Sequence, residues 1–108
     1  MVSTFSFVVI TWNSEKTIEE SLLGIRDMCA AENVPCQVFV VDNGSTDETI
    51  GIIERCAESM SLSLIRLDRN RGTTVTRNMA IERCTGDIVC ILDSDAILLE
   101  GSLNDISD

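Results

Sequence analysis

The chain has 108 residues, 44% of them hydrophobic, with 18 acidic side chains against 8 basic ones and a formal net charge of −10. That length supports one domain, residues 1–108, with a modest core and room for a single site. The acidic balance excludes a protein that coats nucleic acid, because such affinity comes mostly from neutralising phosphates; a metal cation is an easier partner. Histidine is absent, which removes Ser-His and Cys-His nucleophile chemistry. The cysteines (Cys29, Cys36, Cys56, Cys84 and Cys90) form no C-x-x-C pair and are odd in number. Neither a zinc site nor a disulfide framework is expected; most of them sit inside apolar patterns and read as small core residues of a reduced protein in the cytoplasm. No apolar run approaches the roughly eighteen residues that cross a bilayer, and "MVSTFSFVVIT" lacks a basic n-region and a cleavage signature.

In chain order, the first element is the apolar run "FSFVVI", a strand buried on both faces, closed by the polar cluster "TWN" at 11–13. A helix follows, with Ile18, Leu22, Ile25 and Cys29 spaced i, i+4, i+7, i+11 and with Asn13 or Ser14 available as its cap. "CQVFVV" is the second strand and ends in "DNGS" at 42–45. The next helix opens on "STDE", where Ser45 and Glu48 have capping-box spacing, and carries Ile50, Ile53 and Ala57 on one face. "LSLIRL" alternates polar and apolar residues and suits an edge strand; "DRNRG" at 68–72 follows it. A third helix is predicted from Thr74 to Cys84, with Val75 and Met79 inward and Gly86 ending it. "DIVCIL" is the last strand, and it runs into "DSD" at 93–95.

Strands alternating with helices define an α/β fold: a Rossmann-like open parallel sheet of four strands in order 3-2-1-4, with helices on both faces. In such sheets ligands bind outside the carboxyl ends of the strands, where the strand order reverses. The crevice then falls between the first and fourth strands, with "TWN" and "DSD" on its two sides.

Asp93 and Asp95 stand at i and i+2, so in extended backbone they share one face. Such a pair suits a hard divalent cation that takes its remaining ligands from phosphate and water, although D-x-D is also ordinary strand-ending turn chemistry. Asp42, at the end of the second strand, offers an acceptor for a ring N–H of a base; a satisfied turn aspartate is the alternative. Five of the eight basic residues, Arg66, Arg69, Arg71, Arg77 and Arg83, fall within eighteen positions. Gly72 opens a helix inside that cationic stretch, and Arg77 lies about one turn further on. Helix N-termini and arginines both favour anions, while a solvated helix face is the plainer reading. Neither G-x-G-x-x-G nor a P-loop is present.

Together, "VVITWNSEKTIEESL", "VFVVDNGSTDET" and "NRGTTVTRNMAIERCTGDIVCILDSDA" resemble, in order and spacing, the nucleotide-sugar-binding half of a family 2 glycosyltransferase of GT-A fold. The resemblance implies that Thr11, Trp12 and Asn13 contact base or ribose and that Asp42 binds the base. It implies further that Asp93 meets the ribose and that Asp95 coordinates Mg2+ or Mn2+ on the diphosphate, with Gly72 and Arg77 nearby. Where many members have proline before the threonine, Ile10 stands here, and Trp12 replaces the frequent Tyr or Phe. The implied reaction is inverting transfer of a sugar from a nucleotide-diphosphate donor to an acceptor hydroxyl, assisted by a carboxylate base. That base and the acceptor site belong to the family's second half and are expected to be missing here. Many relatives act at the inner membrane face on lipid-linked acceptors, although no anchor is encoded. The alternative is a catalytically inactive module that forms homo-oligomers through an exposed sheet edge.

Overall fold

Apolar runs and amphipathic stretches alternate to give β1 (Phe5–Thr11), α1 (Ile18–Glu32), β2 (Cys36–Asp42), α2 (Thr49–Cys56), β3 (Ser63–Arg66), α3 (Thr73–Ile81) and β4 (Ile88–Asp93). The computed structural model describes residues 4–85 and 88–93. The strands form one sheet in the order β3-β2-β1-β4, every neighbouring pair parallel. This is the order expected from the sequence. β1 is central because both of its faces are apolar: Phe5, Phe7 and Val9 point one way, Val8 the other, and none is more than 1% exposed.

α1 and α2 cover one face. Ile18, Leu22, Ile25 and Met28 of α1 and Ile53 and Cys56 of α2 pack onto Phe5, Phe7, Val9, Val38 and Val40. Each large apolar side chain buried in this way contributes about 1.5–3 kcal/mol. α3 lies on the opposite face, where Ala80 meets Val8 and Val41, with Ile10, Ile65, Leu67 and Cys84 around them.

The third helix turns differently from the expectation. Thr76 and Ala80 are its fully buried positions, Met79 is half-buried, and Val75 is 46% exposed. Two small inward residues let the helix lie close against β1 and β2, and Thr76 returns its hydroxyl to the Gly72 carbonyl at 3.1 Å. That rotation carries Val75 out to solvent. The helix stops at Ile81; the Arg83 and Cys84 amides then bond the carbonyls of Ala80 and Ile81, three residues back. Gly86, its expected terminator, lies outside the described residues.

The cysteine expectation also needs correction. Cys29, near the end of α1, forms a disulfide with Cys36, the first residue of β2. Asn33 makes this possible: at φ 52° it ends α1 in the left-handed conformation and turns the chain back, a position asparagine tolerates. Cys56, Cys84 and Cys90 are free, and burial pushes the thiols of Cys56 and Cys90 above their usual range. Among the described residues no helix is long and apolar enough to cross a membrane.

Candidate functional site

At the carboxyl end of the sheet, Thr11 is paired with Asp42, Asp42 with Arg66, and Ile10 with Asp93. The sheet therefore brings the starts of all four polar clusters to one edge. Strand spacing of about 4.8 Å puts the beginning of "DSD" beside "TWN". Only the backbone of Asp93 is described, and Asp95 lies outside the described residues.

The loop after β1 and the loop after β2 are bonded to each other at five points. The Asn13 amide donates to the Ser45 hydroxyl at 2.8 Å, and the Asn13 side-chain carbonyl accepts the Thr46 amide at 2.8 Å. The Ser14 amide donates to the Thr49 hydroxyl at 2.8 Å. The Glu15 amide reaches the Asp47 carboxylate at 3.4 Å, and the Glu15 carboxylate accepts the Glu48 amide at 3.2 Å. Asn13 adopts φ 47°, a left-handed conformation that asparagine bears better than most residues.

These bonds explain why the expected caps differ. Neither Asn13 nor Ser14 caps α1 with its side chain; the Ser14 carbonyl instead accepts the amides of Thr17 and Ile18, and the helix begins after that turn. Ser45 does not pair with Glu48 either, since its hydroxyl is drawn to Asp42 and Asn13. Asp47 takes over near the start of α2, accepting both the hydroxyl and the amide of Thr49. The sequence did not mark Asp47, Thr49 and Glu15 as loop-fixing residues; the crowded run "STDET" was a signal for the first two alone.

Burial opposes ionisation of Asp47, but the bonds from Thr49 and Glu15 outweigh it and hold the carboxyl below its usual range. A carboxyl whose folded-state pKa is depressed adds stability above its unfolded value, near 4, and that stability is lost as pH falls through the folded value. Thermal melts between pH 6 and pH 3 should show wild-type stability falling at the acid end. Asp47→Asn should be less stable at pH 6 and should fall less steeply; equal slopes would exclude Asp47 as a contributor.

The loop after β3 leans on the same platform. The Asn43 side chain, 3% exposed, accepts the Arg71 amide at 2.8 Å, and the Asn43 amide donates to the Thr11 carbonyl at 2.8 Å. Gly44, at φ +85°, lies so close that a Cβ there would stand 2.7 Å from the Arg69 backbone. Gly72 opens α3 at φ 82° and ψ 161°. Arg71 pairs with Asp68 at 3.0 Å, whereas Arg69 and Arg77 are exposed with no ion pair among the described residues. Residues 66–83 are thus a locally cationic segment of an otherwise acidic chain.

The expected site residues thus separate into two layers. Trp12 (52% exposed), Asn13, Gly72 and Arg77 are exposed. Thr11 and Asp42, each 1% exposed, lie beneath the loops. Both carboxylate oxygens of Asp42 accept from Ser45, one from its amide at 2.9 Å and one from its hydroxyl. The Thr11 hydroxyl is buried without a hydrogen-bond partner among the described residues. An unsatisfied buried hydroxyl costs about 1–3 kcal/mol, so Thr11→Val, nearly the same in shape, should leave the melting temperature unchanged or raise it. A clear fall would reveal a partner for that hydroxyl.

Among the described residues no three acidic or thiol groups gather into a cation cage. Asp93 and Asp95 offer carboxylate oxygens alone, and the chain has no histidine. That donor chemistry fits a hard cation completed by substrate phosphates rather than zinc.

Comparison with known proteins agrees with the fold. Residues 6–106 match the family model described as Glycosyl transferase family 2, and the chain belongs to that family. It is 36% identical over 104 residues to the poly(ribitol-phosphate) beta-N-acetylglucosaminyltransferase TarS of Staphylococcus aureus, covering 94% of this chain and 18% of that protein. The crystal structure of TarS 1-349 in complex with UDP-GlcNAc superposes with a TM-score of 0.82 at 34% identity, covering 96% of this chain and 30% of that one. The mannosyltransferase PcManGT from Pyrobaculum calidifontis, in complex with GDP-Man and Mn2+, gives 0.81 at 32%, covering 95% and 31%. The chain therefore spans less than a third of the length of each of these proteins. The four-stranded parallel sheet is the Rossmann-like part of a GT-A fold.

Proposed function

We propose that this chain binds the nucleotide-diphosphate sugar donor of a family 2 glycosyltransferase, for inverting transfer to an acceptor hydroxyl. The observation that carries the reading is the convergence of the "TWN", "DNGS" and "DRNRG" loops on one bonded platform, with the end of β4 beside it. Trp12 offers a flat apolar face for a base, and Asn13 lies next to it. Gly72 at the helix start and Arg77 one turn later face the diphosphate, supplying positive potential and guanidinium hydrogen bonds. Asp93 meets the ribose and Asp95 holds Mg2+ or Mn2+. When bound, that cation supplies Lewis-acid stabilisation of the departing diphosphate.

Titration calorimetry with UDP, GDP and dTDP, each with and without Mn2+, tests the reading. UDP comes first because TarS structures at 34% identity hold UDP and UDP-GlcNAc. Absence of binding by all three nucleotides would refute it.

One observation favours a second reading, an oligomerising module. β4 pairs with β1 alone among the described strands and leaves Val89 and Ile91 40% and 38% exposed. Unpaired apolar edges recruit partners. A stable dimer in sedimentation with no response to nucleotide or metal would support that reading; a monomer that binds nucleotide would dismiss it.

A further inference from the structure

Asp42 is a carboxylate 1% exposed that takes part in no ion pair among the described residues. Burying such a group is costly unless its lone pairs are used. One residue uses both oxygens: the Ser45 amide donates to Oδ2 at 2.9 Å and the Ser45 hydroxyl donates to Oδ1. Committed as a donor toward Asp42, the Ser45 hydroxyl is free to accept, and it accepts the Asn13 amide at 2.8 Å. Donation to an ionised acceptor polarises the hydroxyl and strengthens the bond it receives. Asn13 closes the link by accepting the Thr46 amide at 2.8 Å. A chain of bonds thus runs from the end of β2 through Ser45 to the loop that carries Trp12 and Asn13.

We infer that Asp42 and Ser45 are positioning residues for the donor site. Asp42 orients the Ser45 hydroxyl, Ser45 holds the Asn13 backbone, and the pair sets the spacing of the two loops without touching the base. The inference rests on the nucleotide reading above and refines it. Direct acceptance of a base N–H by Asp42 would require its carboxylate to come out from beneath the loops and share an oxygen that Ser45 already uses. An Asp42→Asn side chain that keeps its oxygen on the Ser45 amide would turn its NH2 group to the Ser45 hydroxyl, which would then accept instead of donating and would lose the charged acceptor that strengthens its bond to Asn13, so the relay would be weakened.

The test measures affinity for UDP, GDP and dTDP in wild type, Asp42→Asn, Ser45→Ala, Ser45→Thr and the Asp42→Asn/Ser45→Ala pair, at temperatures well below each variant's melting point. Asp42→Asn and Ser45→Ala should each weaken all three nucleotides by about tenfold, the equivalent of about 1.4 kcal/mol, with their order of preference preserved. The double variant should be no worse than either single one, as for two residues in one relay, and Ser45→Thr, which keeps the hydroxyl, should retain wild-type affinity. A changed order of preference in Asp42→Asn, a neutral Ser45→Ala, or multiplied losses in the double variant would overturn the inference.

Should wild type bind none of the nucleotides, the donor reading fails and the positioning role fails with it. Hydrogen exchange then tests the relay by itself. The Asn13, Ser45 and Thr46 amides should be protected, and Ser45→Ala should speed Asn13 exchange about tenfold or more; an unchanged rate would refute the relay.

Discussion

Gly44→Ala is expected to lower the melting temperature by more than ten degrees and to weaken nucleotide binding in parallel. Two penalties coincide at this position. The backbone sits at φ +85°, which an L side chain adopts at a cost of about 1–2 kcal/mol. The new Cβ would also stand 2.7 Å from the Cα and carbonyl carbon of Arg69, which are main-chain atoms rather than a flexible tip. Relief requires moving the loop after β3, which the Asn43 side chain ties to the Arg71 amide. Overpacking of this kind adds about 1–3 kcal/mol, and each kcal/mol shifts the melting point of a domain this size by about 4–8 °C. Gly72→Ala is a comparison variant, because Gly72 also has a positive φ, +82°, but among the described residues nothing lies within 4 Å of an added Cβ. It should carry the conformational penalty alone. A Gly44→Ala protein that melts with wild type would show that the collision at Arg69 is relieved and that the loops are looser than their bonding indicates.

The sheet was largely legible in the sequence because double burial leaves a plain mark. "FSFVVI" and "CQVFVV" have no polar periodicity that a solvated face would impose, and the alternating "LSLIRL" marks β3 as the edge strand it is. Helix faces were less legible. Val75 looked inward by hydrophobicity, yet the buried positions are Thr76 and Ala80, since close packing against two strands selects small size over apolarity. Local capping rules failed where tertiary partners competed for the same groups. Ser45 has the spacing for Glu48 and the geometry for Asp42, and a buried carboxylate is the stronger claimant. The Cys29–Cys36 link depends on the left-handed turn at Asn33, which an odd count of cysteines does not reveal. In the candidate site, residue types did not distinguish exposed side chains from buried ones. Thr11 and Trp12 are neighbours in sequence and differ from 1% to 52% in exposure because β1 ends between them.

Asp95→Ala is expected to remove the metal dependence of nucleotide binding while leaving metal-free affinity and the melting temperature near those of wild type. Ile10 is opposite Asp93, so β4 delivers its terminal aspartate one position below Thr11, the last residue of β1, where the strand order reverses. On the proposed donor reading, two carboxylates form too sparse a set for a closed magnesium or manganese site, so the cation would take its remaining ligands from the diphosphate and water. Metal and nucleotide then bind as one unit, and each raises the affinity of the other by the same factor. Loss of a directly ligating carboxylate should cost at least the tenfold or so that follows from disturbing an outer-shell partner, all of it in the Mn2+-dependent increment. Asp93→Ala should behave differently, weakening binding with and without the cation, because its expected contact is to the ribose. Calorimetry on both variants, run with Mn2+ and again with a chelator, separates the roles. An Asp95→Ala protein that keeps its Mn2+ response would move the cation to other ligands; one that loses metal-free affinity equally would make Asp95 a contact to the nucleotide itself.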